Sequence, residues 1–87
     1  LMDTVPGQSL DKEVRSLLQD LPGLEGIENI QAHRFGQYLV MNLTIFVCGD
    51  SSVREGHEVA EEVERRLIKE VDYLQAVHVH YHPKPGS

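Results

Sequence analysis

Ala76-Val77-His78-Val79-His80-Tyr81-His82-Pro83 alternates apolar and imidazole side chains with a period of two. Successive side chains of a β-strand point to opposite faces, so Val77, Val79 and Tyr81 face a core and His78, His80 and His82 line the other side. Neutral imidazole is the commonest side-chain metal ligand, and its unperturbed pKa of about 6.5 sits close to neutrality. Three of the five histidines thus stand in a row on one face of one strand. A half-exposed strand with polar residues outward needs no metal, so the rest of the chain must decide what the row is for.

Working back from that strand, Ser52 with Glu55 three residues later is a capping-box pattern. It opens a helix from Val53 to about Glu70, with Val59, Ala60, Val63 and Leu67 at helical spacing. Acidic residues in its first half and Arg65, Arg66 and Lys69 in its later turns suit the helix dipole. Before it, Leu24 to Phe35 and Tyr38 to Val47 read as two strands joined at Gly36-Gln37, where glycine in first place fits a type II′ turn. Pairing Phe35 with Tyr38 sets Ala32 opposite Met41 and Ile30 opposite Leu43 on an apolar face. His33 opposite Val40 and Gln31 opposite Asn42 then occupy a second, mixed face that no element in the sequence covers. Such a face is expected at a subunit contact or binding surface. A first helix, capped by Ser9 or Asp11, runs to about Asp20 and is stopped by Pro22-Gly23. The order is α-β-β-α-β. It predicts an α+β domain of the ferredoxin-like kind, a small three-stranded sheet with two helices on one face.

Eighty-seven residues suffice for one small domain, in which the core is thin and a partner subunit or metal would add stability. The formal net charge of −6 argues against nucleic acid and favours cations. The single cysteine, Cys48, excludes an internal disulfide and CxxC chemistry. There is no glycine-rich phosphate loop, no HExxH and no nucleophile–histidine arrangement, so catalysis is not expected.

Several stretches, taken in order, resemble the cytosolic C-terminal domain of the cation diffusion facilitators, proton-coupled exporters of divalent metals. They are Leu21-Pro22-Gly23-Leu24-Glu25-Gly26-Ile27, Ala32-His33-Arg34-Phe35-Gly36, Glu55-Gly56-His57-Glu58-Val59-Ala60 and Val79-His80-Tyr81-His82-Pro83. The resemblance covers nearly the whole chain. It implies an αββαβ metallochaperone-like domain at residues 9–83 and a tail at 84–87. Residues 1–8 then correspond to a linker after transmembrane helices. It also implies a homodimer on the cytoplasmic face of a membrane, joined to the transmembrane domain of the same protein.

By position, the resemblance places His57 on the family's helix histidine and His80 on its last-strand histidine. His82 falls where zinc-transporting members often have a bridging aspartate. Glu28 stands where some members have a histidine, and Asn42 where they have another. Neutral amide is a poor zinc ligand, so one site, or weak sites, is expected rather than a two-metal cluster. His33 joins the candidates because it shares the strand face. The expected metal set is therefore His57, His80, His82, His33 and Glu28, holding zinc, iron or manganese. The implied function is regulation and dimerisation of a divalent-cation exporter through cytosolic metal. The alternative is a stand-alone ferredoxin-like interaction module that dimerises without metal.

Overall fold

A computed structural model describes residues 2–4 and 7–86. The elements in order are β1 (Met2–Thr4), α1 (Gly7–Leu18), β2 (Leu24–Phe35), β3 (Tyr38–Val47), α2 (Val53–Glu70) and β4 (Leu74–Pro83). One sheet has the order β1-β2-β3-β4, antiparallel at its first two junctions and parallel between β3 and β4. The expected αββαβ unit is present, and a three-residue strand extends it along the outer edge of β2. That strand falls in the lead-in expected to be irregular, and α1 starts at Gly7 rather than at Ser9 or Asp11.

The hairpin follows the alternation of its residues. Phe35 opposes Tyr38, Ala32 opposes Met41 and Ile30 opposes Leu43. Gly36 takes φ +56° while Gln37 does not take a positive φ, which is the type II′ signature and needs no Cβ at the first position. Two bulges interrupt the β2 register, between Leu24 and Gly26 and between Ile27 and Asn29. Each adds one unpaired residue and bends the strand.

The core lies between one sheet face and the helices. Leu39, Met41, Leu43, Ile45 and Val47 of β3 are all buried on that face, beneath Val14 and Leu18 of α1 and Val63 and Leu67 of α2. Each large side chain so buried contributes about 1.5–3 kcal/mol. Arg66 locks the two helices together. Its Nη1 donates to the Leu17 carbonyl at 3.1 Å and to Asp20 Oδ1 at 2.9 Å, tying the end of α1 to the middle of α2. At the start of α2 the reciprocal capping bonds are both made: Glu55 N–H donates to Ser52 Oγ at 3.0 Å, and Ser52 N–H to Glu55 Oε1 at 2.7 Å. The first bond supplies one of the unpaired donors of the opening turn.

Candidate metal-binding face

The sheet face away from the helices carries the histidines. Parallel pairing puts His78 beside Asn42, His80 beside Thr44 and His82 beside Phe46, while antiparallel pairing puts His33 beside Val40. All of these therefore project to one side, opposite the core-facing Met41, Leu43, Val77 and Tyr81. Val40, Asn42, Thr44 and Phe46 are half-buried down the middle of the face. His78, His80 and His82 are exposed on β4, a strand at the sheet edge. No helix of the described residues crosses this surface. Phe35 and Tyr38, both exposed, extend its apolar part toward the hairpin end.

The predicted ligands do not gather at one point within a chain. His33 is half-buried on β2, two strands from β4. At about 4.8 Å per strand it stands roughly 10 Å to the side of the histidine row before any offset along the strands is added. Glu28 occupies the second bulge and is exposed. Counting alternation along the strand puts it on the core side; the extra residue releases it from the ladder, so strict parity does not apply there. His57 belongs to the helical layer. Its predecessor Gly56 is buried against the ring of Tyr81, a residue facing the core side of β4. His57 is thus on the far side of the sheet from His80 and His82. It is exposed, with Nε2 3.6 Å from Glu61 Oε1 one helical turn on. Asn42, in place of a possible histidine, supplies an amide between His78 and Gln31. Among the described residues no group of three His, Cys, Asp or Glu side chains is positioned to hold a metal ion.

Cys48 is free and exposed in the loop after β3. An open depression of about 840 Å³ on α2 is lined by Glu58, Glu61, Glu62, Glu64 and Arg65. It contains none of the histidines, and its acids are part of the solvated helix face, where Glu62 is already paired with Arg65. That pairing, chiefly the hydrogen bond from the guanidinium, holds the Glu62 carboxyl below its ordinary value and raises Arg65. The chemistry-bearing surface is the flat histidine face and not this concavity. What sequence reasoning leaves out is the separation by layer: a helix histidine and two strand histidines share a motif set, but only packing tells which side of the sheet each occupies.

Comparison with known proteins follows the same lines. The sequence profile of the family described as "Cation efflux protein, cytoplasmic domain" matches residues 6–84. The chain is 24% identical over 79 residues to the magnetosome protein MamM of Magnetospirillum gryphiswaldense, a stretch that is 91% of this chain and 25% of that protein. It is 28% identical over 71 residues to the manganese efflux system protein MneS of Bacillus subtilis, covering 79% of this chain and 23% of MneS. The chain therefore spans about a quarter of the length of the curated relatives it matches. Among solved structures, the manganese form of a substituted MamM C-terminal domain superposes with a TM-score of 0.82 at 20% identity, over 87% of this chain and 96% of that one. The cadmium form of another gives 0.85 at 19%, over 91% and 99%. These two likenesses establish the ferredoxin-like fold.

Proposed function

The chain belongs to the cation efflux protein family, as its cytoplasmic domain, and from that membership we propose that it is the regulatory and dimerisation domain of a divalent-cation efflux transporter. In this reading residues 1–8 connect to the transmembrane domain of the same protein. Residues 9–83 lie at the cytoplasmic face of the membrane as a homodimer. Cytosolic divalent metal, bound by histidines of the open sheet face, biases the arrangement of the two copies.

The observation that carries the reading is the uncovered sheet face itself. Half-buried Val40 and Phe46 lie beside four histidines there, the composition expected of a metal-responsive subunit contact. One chain keeps His57 on the opposite side of the sheet from His80 and His82, so a site at a contact through the open face draws on the strand histidines and leaves His57 outside it. Metal then shifts the dimer only by the difference between its affinities for the closed and open forms. Zinc, iron and manganese all accept imidazole and carboxylate donors, so the donor set supports a divalent ion without selecting one.

The test combines mass by light scattering with distances between spin labels on the outer surface of α2. A dimer throughout, whose interlabel distance shortens on adding zinc or manganese, is the expected result. An unchanged distance at metal saturation sinks the regulatory part. A monomer under all conditions sinks the dimerisation part. A dimer that takes up no metal favours the interaction module.

A further inference from the structure

The hairpin end of the sheet gathers the exposed aromatic rings. Of the two phenylalanines and three tyrosines, Phe46 and Tyr81 are half-buried, while Phe35, Tyr38 and Tyr73 are 43%, 46% and 66% exposed. Phe35 and Tyr38 are a cross-strand pair on either side of the Gly36-Gln37 turn. Tyr73 stands beside them, because its carbonyl accepts the N–H of Leu39, the residue after Tyr38, at 2.8 Å. It reaches that position at φ +66°, the only positive φ of a non-glycine residue among the described residues. Left-handed backbone costs free energy, and such outliers collect at functional positions. Asparagine would adopt the same turn with less strain, and a ring this exposed adds little burial within the chain.

What meets these rings follows from chain direction and charge. β1 runs from Met2, opposite Phe35, to Thr4, opposite His33, so the chain that leads into β1 arrives past the hairpin tip. In the function proposed above that chain comes from transmembrane helices, which sets this end of the domain nearest the bilayer; the inference rests on that reading. Charge points the same way. The chain has 14 acidic residues, yet residues 29–49 and 73–87 contain none. Arg34 lies opposite Asp3 in the β1–β2 ladder and Asp72 precedes Tyr73, so the tip is close to neutral while acids crowd α2. Tyrosine joins an apolar body to a polar hydroxyl, which suits the boundary between lipid headgroups and acyl chains.

We propose that Phe35, Tyr38 and Tyr73 form an aromatic foot by which the domain rests on a phospholipid bilayer, the rings entering the headgroup layer beside the linker. A contact made by apolar rings scales with the area they bury, needs no anionic lipid and is little screened by salt. The foot is separate from the middle of the open face. Val40 and Phe46 there carry the proposed subunit contact, and the three rings stand beyond its hairpin end. With the linker as one attachment and the rings as a second, each domain is held at a fixed tilt to the membrane instead of swinging about its linker.

The chain contains no tryptophan, so a single one reports its own surroundings. The experiment introduces Tyr38→Trp at the foot and, as a control, Val53→Trp at the exposed start of α2, beyond the other end of β3. Each variant is titrated with phosphatidylcholine vesicles. Tyr38→Trp emission should move to shorter wavelength and be quenched by brominated acyl chains, equally at low and high salt, while Val53→Trp should not respond. Added to Tyr38→Trp, Phe35→Ser and Tyr73→Asn should each weaken vesicle binding roughly fivefold or more, the effect of half-burying one aromatic ring. Tyr73→Asn is the sharper variant. Relief of the left-handed backbone should raise its thermal stability while loss of the ring weakens vesicle binding, and a merely structural residue would not move the two in opposite directions. No spectral shift and no cosedimentation at millimolar lipid overturns the foot and leaves the proposed transporter domain standing. Equal shifts from both reporters, or binding that salt abolishes, overturn it too. Emission that is blue-shifted without lipid and reddens on dilution assigns the rings to the subunit contact and likewise overturns the foot.

Discussion

Gly56 lets the first turn of α2 rest on β4, because a Cβ there would stand 2.7 Å from Tyr81 Cε2. The ring is half-buried against the core, and the added methyl would require it to shift. Gly56→Ala should therefore destabilise the domain by about 1–3 kcal/mol through overpacking, read as a lowered denaturant midpoint. Tyr73 is a residue of the opposite kind. It holds φ +66° in the turn into β4 with an exposed side chain, while its carbonyl accepts the Leu39 N–H at 2.8 Å. A side chain with a Cβ costs roughly 1–2 kcal/mol in that region, least for asparagine. Tyr73→Asn should raise the melting temperature by several degrees, about 1 kcal/mol for a domain of this size. Neither position announces itself in the sequence. Gly56 sits in a helical pattern where glycine only lowers propensity, and nothing local marks Tyr73 as left-handed. Both properties arise from what packs or pairs across the chain.

At the scale of the elements, α2 is the most legible part of the molecule. Ser52 and Glu55 give its start, and the capping box forms between them. Removing the hydroxyl in Ser52→Ala should cost about 1 kcal/mol, measured by thermal melting. The Glu55 carboxyl is held below its usual value of 4.5, first by the Ser52 backbone N–H and then by the Ser52 hydroxyl. A carboxyl whose folded pKa is depressed adds stability that is fully present above its unfolded pKa and lost as pH falls through the folded one. Stability should thus decline as pH drops below about 4.5, and less steeply in Glu55→Gln, which loses this proton linkage. Denaturant melts between pH 3 and 6 (roughly bracketing carboxylate titration) would measure the difference. The hairpin was equally readable, since alternation fixes which residues oppose each other. The bulges of β2 were not, and the second leaves Glu28 outside the ladder, where alternation no longer assigns it a side. Bulge placement depends on how the strand bends to follow β3, information spread over both strands.

For the whole molecule, the order of elements and the family resemblance together led to the right architecture. The short β1 escaped because three residues carry too little periodicity to be read. The candidate site was legible as a set of residue types and illegible as a place. Alternation correctly put His33, His78, His80 and His82 on one face, whereas the layer holding His57 follows from the packing of Gly56 on Tyr81. If the open face joins two copies, Phe46→Glu should convert the dimer to a monomer by light scattering while leaving the circular dichroism unchanged. Phe46 is only half-buried in the single chain, so a charge there is tolerable when no partner covers it. By contrast Leu43→Ala, in the fully buried centre of β3, should cost about 2–5 kcal/mol and lower stability in monomer and dimer alike.

The strand order has one more consequence. β3 is bonded on both sides, but β4, which bears the histidine row, has a partner on one side only. Amide protons of β3 should be the slowest in the molecule to exchange with deuterium, and those of β4 should follow the opening of a single ladder. The ribbon that carries the histidines therefore loosens before the strand beside it, and a contact that covers β4 would be visible as slowed exchange confined to that edge of the sheet.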